Sequence, residues 1–161
     1  MGDSTQIDTI AEIAQKVTAE NNRRQRRSDI IKSLLTERQE VIVAMCDLAE
    51  LESKDIEAET VLDSLKNFSQ TLVDYTALGH FEIYERIIDG KERREKVKRI
   101  ANRVYPAISS TTAHIVEFND KYDGADGQDS LGDLYKDLSS IGEAMAVRIE
   151  SEDKLLRELS V

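Results

Sequence analysis

Residues that interrupt helices are scarce in this sequence. Its 161 residues include one proline and seven glycines, aromatic residues make up only 5%, and tryptophan is absent. Strands favour β-branched and aromatic residues and need frequent turns, so this composition excludes a sheet-rich protein. The sequence therefore predicts an all-α fold.

Cysteine and long apolar runs are equally sparse. Cys46 is the single cysteine, which excludes an internal disulfide and is typical of a reducing cytoplasm. Its apolar neighbours, residues 43–45 and Leu48, predict that it is a small buried residue. No apolar run approaches the roughly 20 residues of a membrane span, and residues 1–6 lack the features of a signal peptide. We expect a cytoplasmic protein without membrane contact.

Acidic residues outnumber basic ones, 32 to 22, which gives a net charge of -10. This charge argues against direct nucleic-acid binding, which needs clustered cations, and it favours basic partners. Two segments run against the trend, residues 23–27 and residues 91–103. We expect both to be solvated helix surface or loop, and the arginines of the first to pair with neighbouring carboxylates.

Apolar residues at three- and four-residue steps predict the first helices. A short helix is expected over about 5–20, followed by a loop or solvated helical turn over 21–27. Ser28 is the predicted N-cap of a long helix that ends near residue 52. The next helix runs from about 61 to Leu78, and Gly79 is predicted to end it in a left-handed cap.

The second half of the chain shows the same periodicity. A short helix over about 80–89 is expected to end at Gly90. Around Pro106, either a helix ends and restarts or one rod is kinked. Residues 122–129 read as a loop, and Ser130 with Asp133 resembles a capping pair that opens the last helix.

One domain accounts for the whole chain, because its length suits a single core. The prediction is an up-and-down bundle of four long helices with shorter N-terminal and connecting helices. Residues 1–161 form this single helical domain, and residues 1–27 form a peripheral N-terminal helix and basic turn.

Catalytic and metal-binding patterns are missing from the sequence. Residues 120–129 carry carboxylates near glycines, but the acids do not follow the order of an EF-hand. A bundle di-iron site needs Glu-x-x-His pairs, whereas His80 follows Ala77 and His114 follows Thr111 at that spacing. We expect no cofactor and no enzymatic activity. A histidine phosphotransfer protein, using His80 or His114, remains the alternative from another class.

The most informative segment is residues 68–86, where aromatic and acidic residues surround one glycine. It contains Leu-Val-Asp-Tyr at 72–75, Gly-His-Phe at 79–81 and Ile-Tyr-Glu at 83–85. Phe81 and Tyr84 are three apart on one helix, hence neighbours on one face. Rings that supply contact area and acids that select a basic partner are typical of a protein interface.

This pattern resembles the signature of the Rsd/AlgQ family of bacterial anti-sigma factors. A second match, Leu138 to Ala144 followed by Arg148 and by residues 152–155, is similar to that family's C-terminal helix. A third lies at residues 35–39, where family members place a tryptophan before the leucine and this chain has Leu34. The resemblance covers roughly residues 28–159.

The resemblance implies a function in transcription. The expected partner is region 4 of the primary sigma factor, a basic helix-turn-helix segment that otherwise contacts core RNA polymerase and -35 promoter DNA. A helical adaptor for another regulatory protein is a further alternative, and additional regulatory partners are left open. For Gly142 and Glu143 we expect helix packing and a structural ion pair. The sigma-contact role carries over to Asp74, Tyr75, His80, Phe81, Glu82, Tyr84 and Glu85.

Overall fold

The fold is all-helical, and the described residues contain no strand. The computed structural model describes the backbone of residues 2–160 and the side chains of residues 8–127 and 130–160. Residue 1 and residue 161, at the two ends of the predicted domain, lie outside this part. The α-helices are α1 (Gly2–Glu50), α2 (Ala58–Gly79), α3 (Glu85–Ile88), α4 (Glu95–Tyr122) and α5 (Leu134–Leu159). The shorter elements are 3-10 helices at Leu51–Ser53 and Gln128–Leu131 and a π-helical turn at His80–Tyr84.

Helix α1 is a single rod of 49 residues, about 70 Å long at 1.5 Å per residue. The predicted separation into helices over 5–20 and from Ser28 is therefore wrong. Residues 3–50 contain neither proline nor glycine, and Ser28 is helical and half-buried rather than a cap. Residues 8–26 are all exposed, and the fully buried positions of α1 begin at Leu34. The first half of α1 therefore extends beyond the bundle.

The arginines in this extension are not paired as expected. Among the side chains that the structure describes, no carboxylate oxygen lies within 4.0 Å of a nitrogen of Arg23, Arg24, Arg26 or Arg27. The nearby Asp29 instead accepts a hydrogen bond from Gln25 at 2.9 Å. The expectation that these arginines pair with neighbouring carboxylates is wrong.

Four long helices form the bundle. Helix α1 packs along α2, α4 packs along α5, and the bundle closes through contacts of α1 with α5 and of α2 with α4. Each long helix contacts the long helix that follows it in the sequence, which gives the up-and-down arrangement. The predicted fold class is confirmed.

Helix α4 shows why the core forms. Its buried residues follow one another at alternating steps of four and three, which places them on one stripe. They are Val97, Ala101, Val104, Ile108, Thr111, Ile115, Phe118 and Tyr122. Pro106 lies on the exposed side, where water can satisfy the carbonyl that loses its helical partner, so α4 continues through it. Of the two expected arrangements, one rod is present.

Three further predictions concern single residues. Gly90 ends α3 with φ 76°, as expected for a left-handed position. Cys46 is exposed, not buried, because it lies two residues from the core positions Ala44 and Leu48 and so points away from them. Ser130 lies in a 3-10 helix, and Asp133 precedes α5 without a side-chain capping bond. The predicted capping pair is therefore wrong.

In the part of the chain that the structure describes, no helix is both long enough and apolar enough to cross a bilayer.

Candidate functional site

Helical backbone continues through Gly79. Gly79 has φ -60° and ψ -45°, and His80 has φ -62° and ψ -54°, both right-handed values. The predicted left-handed stop at Gly79, with a new helix starting at His80, is therefore wrong. A π-helical turn follows at once and leads into α3, so residues 58–88 form one helical path.

Close packing explains the glycine. A Cβ on Gly79 would lie 3.2 Å from Cε2 of Tyr84 and 3.7 Å from Cδ1 of Leu34. Leu34 itself is fully buried, so the position where the family places tryptophan faces the core of this chain. Tyr84 reaches back over Gly79 because the π turn makes the step between the two stacked positions five residues, rather than four.

This helical path has two different faces. Tyr75, Gly79, Ile83 and Tyr84 are buried against the bundle. Steps of four or five residues separate Tyr75 from Gly79 and Gly79 from Tyr84, which aligns them inward. The exposed positions between them point to solvent.

Tyr75 and Tyr84 do not contribute to the exposed surface that the sequence suggested. Tyr75 is fully buried and Tyr84 is 4% exposed. The hydroxyl of Tyr75 donates a hydrogen bond to Oε1 of Glu152 at 2.5 Å and accepts one from Nε of Arg38 at 3.2 Å. Burial, followed by the charge of Glu152, raises the pKa of both tyrosines above the ordinary value of 10.0.

Arg148 and Glu152 form a buried ion pair at the centre of this arrangement. Each side chain is 1% exposed, and Nε of Arg148 lies 3.1 Å from Oε1 of Glu152. Nη1 of Arg148 donates to Oγ1 of Thr112 at 2.8 Å and to Oγ1 of Thr111 at 3.1 Å. The guanidinium also lies 5.9 Å from the ring centroid of Tyr75, within cation–π range.

The three sequence segments that carry the family resemblance meet here. Tyr75 and Tyr84 come from the first, Arg148 and Glu152 from the second, and Arg38 from the third. Nη1 of Arg38 also contacts Oδ1 of Asp153 at 2.7 Å. We call Arg38, Tyr75, Tyr84, Arg148 and Glu152 the polar core. It fixes the path of residues 75–84 against α1 and α5, so these signature residues support the surface outside.

That outer surface consists of the remaining predicted residues. Asp74, His80 and Glu85 are exposed, Phe81 is 60% exposed, and Glu82 is half-buried. The rings of His80 and Phe81 touch edge to face with centroids 4.9 Å apart. We call Asp74, His80, Phe81, Glu82 and Glu85 the corner surface.

Ile88 extends the corner surface and was missed from the sequence. It is 56% exposed and lies three residues after Glu85 on α3, so the two side chains are neighbours on the helix surface. The three-residue step from Glu85 was the available signal. Exposed apolar side chains beside acids are the composition of a protein-binding patch.

Helix α1 adds negative charge beside Asp74. Burial raises the pKa of Glu37, and the charges of Asp74 and Glu40 raise it further. The amide of Gln70 donates to Oδ1 of Asp74 at 2.9 Å. Acids from two helices therefore repel one another at this edge, which favours a cationic partner.

Other sites considered from the sequence have structural contacts. Nε2 of His114 lies 3.0 Å from Oγ of Ser140, a contact of the kind expected for a structural imidazole. Gly142 packs against α1, because a Cβ there would meet Sδ of Met45 at 3.6 Å. Glu143 is exposed, and within the described side chains the buried ion pair of this segment is Arg148–Glu152 instead.

Metal coordination was also considered from the sequence. Within the residues that the structure describes, no three His, Cys, Asp or Glu side chains converge on a metal position. The side chain of Asp129, in the loop compared with calcium sites, lies outside them.

Comparison with known proteins decides the family. The family model described as regulator of RNA polymerase sigma(70) subunit, Rsd/AlgQ, matches residues 13–160. The chain belongs to the Rsd/AlgQ family. This match includes all three signature segments, the polar core and the corner surface, and it begins earlier than the resemblance read from the sequence.

Relatives of this Rsd/AlgQ chain carry the name Regulator of sigma D. The protein from Yersinia enterocolitica is 30% identical over 154 residues, which cover 94% of this chain and 88% of the relative. The protein from Yersinia pseudotuberculosis is 31% identical over 155 residues, covering 94% and 87%. The Shigella boydii protein is 38% identical over 94 residues, covering 58% and 59%. The family description names regulation of a sigma subunit and no catalysed reaction.

Proposed function

We propose that this chain is an anti-sigma factor that binds region 4 of the primary sigma factor through the corner surface. The observation that carries the proposal is that Phe81, 60% exposed, stands between the exposed acids Asp74 and Glu85 along a helical path that the polar core holds in place. Membership of a family of sigma(70) regulators supports the choice of partner.

The chemistry of the two partners is complementary. Region 4 is a basic helix-turn-helix segment whose cations otherwise contact promoter phosphates. The acids of the corner surface attract the same cations, while Phe81 and Ile88 supply apolar contact area that phosphates lack. Binding to this chain and binding to -35 DNA would therefore exclude each other.

Sequestration follows by mass action. Sigma factor held in the complex is withdrawn from core RNA polymerase, and polymerase becomes available to alternative sigma factors. No covalent step and no cofactor are needed, and the proposed place of action is the cytoplasm, where polymerase works. In this proposal Tyr75 and Tyr84 position the corner surface from inside and do not touch the partner.

The test is the affinity of purified region 4 for Asp74→Arg, measured by titration calorimetry. Asp74 is exposed at the edge of the corner surface, so the change replaces an attraction with a repulsion and leaves the core intact. We expect affinity to fall by at least about tenfold, equivalent to roughly 1.4 kcal/mol. The melting temperature should remain within about 2 °C of the parent, since exposed substitutions change stability little.

Glu117→Arg is the matched control. Glu117 is an exposed acid on α4, outside the corner surface, and its replacement changes the net charge by the same amount. It should retain affinity within about twofold, because steering by net charge alone is weak at physiological salt. Unchanged affinity of Asp74→Arg, or an equal loss in Glu117→Arg, would contradict the proposed site.

A further inference from the structure

A basic groove opens beside the corner surface, between the extension of α1 and the segment that follows the π turn. Its volume is about 430 Å³, and seven of its fifteen lining residues are Arg or Lys, against three Glu. Arg23, Arg26 and Arg27 come from α1, and the other cations include Arg86 of α3 and Lys91. This concentration occurs on a chain with a net charge of -10.

Three of the groove cations have no carboxylate partner among the described side chains. Glu92 accepts hydrogen bonds from the backbone nitrogen of Arg94 at 3.0 Å and from its Nε at 2.9 Å. Among the described side chains, no carboxylate oxygen lies within 4.0 Å of a nitrogen of Arg27, Arg86 or Lys91. The groove therefore keeps a positive field that points into a concave space.

The cations lie close enough for their positive charges to repel one another. Burial lowers the pKa of Arg27, and repulsion from Arg94 lowers it further, while Glu92 opposes the effect. Arg24 and Arg23 add to the repulsion. A bound anion would relieve this crowding and so gain binding free energy from the same charges.

Apolar side chains form the inner wall of the same groove. Ile30 and Ile31 come from α1, Ile83 and Ile87 from the opposite helical path, and Leu159 from the end of α5. Three of them, Ile30, Ile31 and Ile87, are half-buried and still partly accessible. A ligand that fits both parts has several negative charges at one end and a flat apolar group at the other.

We propose that the basic groove binds a small molecule in which a sugar joins linked phosphate groups to a flat aromatic base, with a nucleoside triphosphate as the representative ligand. The phosphates contact Arg27, Arg86 and Lys91, and the ring lies against the isoleucines. The groove is lined mainly by α1, α3 and residues 91–94, and its volume falls within the roughly 300–1,000 Å³ typical of small-ligand sites. Nucleic acid or an acidic protein would favour a longer, open track of cations.

The experiment is titration calorimetry of the full chain with ATP at about 50 mM and about 200 mM salt. We expect one-to-one binding whose affinity falls at the higher salt, because several phosphate contacts release counterions. Inorganic tripolyphosphate, which lacks the ring, should bind at least about fivefold more weakly. Arg27→Glu/Arg86→Glu should lower the ATP affinity by at least about tenfold.

Arg99→Glu/Arg103→Glu is the matched control, because both arginines are exposed on α4 outside the groove and the change in net charge is the same. It should retain ATP affinity within about twofold. Arg27→Gln/Arg86→Gln gives a second test if the glutamate variant loses its helical circular dichroism. Capture of region 4 by the groove variants should persist, since neither residue belongs to the corner surface.

Several outcomes would overturn the proposal. The first is that the parent chain does not bind ATP at concentrations up to about 1 mM at the lower salt. The second is that both variants of Arg27 and Arg86 bind ATP as tightly as the parent. The third is that the control variant loses as much ATP affinity as they do. Equal affinity for tripolyphosphate would refute the role of the apolar wall. Binding of a poly-glutamate peptide or duplex DNA without binding of ATP would assign the groove to a macromolecule instead.

Discussion

Arg148→Met isolates the energetic role of the polar core. Arg148 and Glu152 are each 1% exposed, so removal of the guanidinium leaves a buried carboxylate without its cation. Such a loss costs about 3–5 kcal/mol. For a chain of this size, that cost corresponds to a fall in melting temperature of roughly 6–20 °C. Methionine keeps much of the volume of the arginine stem, so the cavity contribution is small.

The double variant Arg148→Met/Glu152→Leu separates charge burial from packing. Removing the carboxylate as well eliminates the uncompensated charge. The hydroxyl of Tyr75 then loses its acceptor, but it still accepts a hydrogen bond from Nε of Arg38 at 3.2 Å. We expect the double variant to be at least about 2 kcal/mol more stable than Arg148→Met alone. The measurement is urea unfolding followed by circular dichroism at 222 nm.

Lys154→Met is the matched control on the same helix. Lys154 and Glu150 form an exposed pair at 3.9 Å, so its loss should cost less than about 0.5 kcal/mol. A loss below about 1 kcal/mol for Arg148→Met would refute the reasoning, because that value is typical of an exposed pair. A double variant no more stable than Arg148→Met alone would refute it equally.

Two further predictions concern the same helical path. Burial raises the pKa of Tyr75 above its ordinary value of 10.0. The neutral hydroxyl therefore stabilises the fold fully below pH 10.0, and this contribution is lost at higher pH. Tyr75→Phe should thus reduce the fall in unfolding free energy at alkaline pH. An unchanged alkaline slope in urea titrations would contradict this. Gly79→Val should lower the free energy of unfolding by about 1–3 kcal/mol, because the new side chain would be overpacked against Tyr84. Gly132→Val is the control: no atom lies within 4 Å of a Cβ there, so the free energy of unfolding should change by less than about 1 kcal/mol. Equal losses in thermal melts would argue against close packing at Gly79.

The fold class followed from the sequence because apolar spacing alone determines which helix faces are buried. In α4, a helix of 28 residues, the steps of four and three are unbroken from Val97 to Tyr122, and a single proline on the exposed side does not change them. The continuity of α1 was missed because Ser28 was read as an N-cap that follows a loop or solvated helical turn over 21–27. Arginine is a good helix former, so the run of arginines within 21–27 is compatible with a solvated helix.

Only part of the candidate surface could be predicted from the sequence. Asp74, Phe81 and Glu85 were expected to be accessible and are, whereas Tyr75 and Tyr84 were expected beside them and are buried. The π turn shifts the helical phase after Gly79, and the spacing of apolar residues in the sequence gives no indication of a π turn. Helical periodicity alone therefore could not assign the direction of Tyr84.

The sequence of α5 contains a signal that predicts part of the polar core. Leu138, Ile141 and Met145 form the inward stripe of α5, and the next positions on that stripe are Arg148 and Glu152. A charged pair at core spacing predicts a buried ion pair. The groove could not be predicted in this way, because only the fold brings residues 23–27 close to residues 86–94.

Cross-saturation NMR tests the central claim most directly. The labelled chain is mixed with unlabelled sigma region 4, and saturation transferred from region 4 marks the atoms that it contacts. We predict the largest intensity losses for the ring of Phe81 and the methyl groups of Ile88, with none for the buried rings of Tyr75 and Tyr84. Losses confined to the exposed sides of α4 and α5, with Phe81 unaffected, would contradict the proposed binding surface.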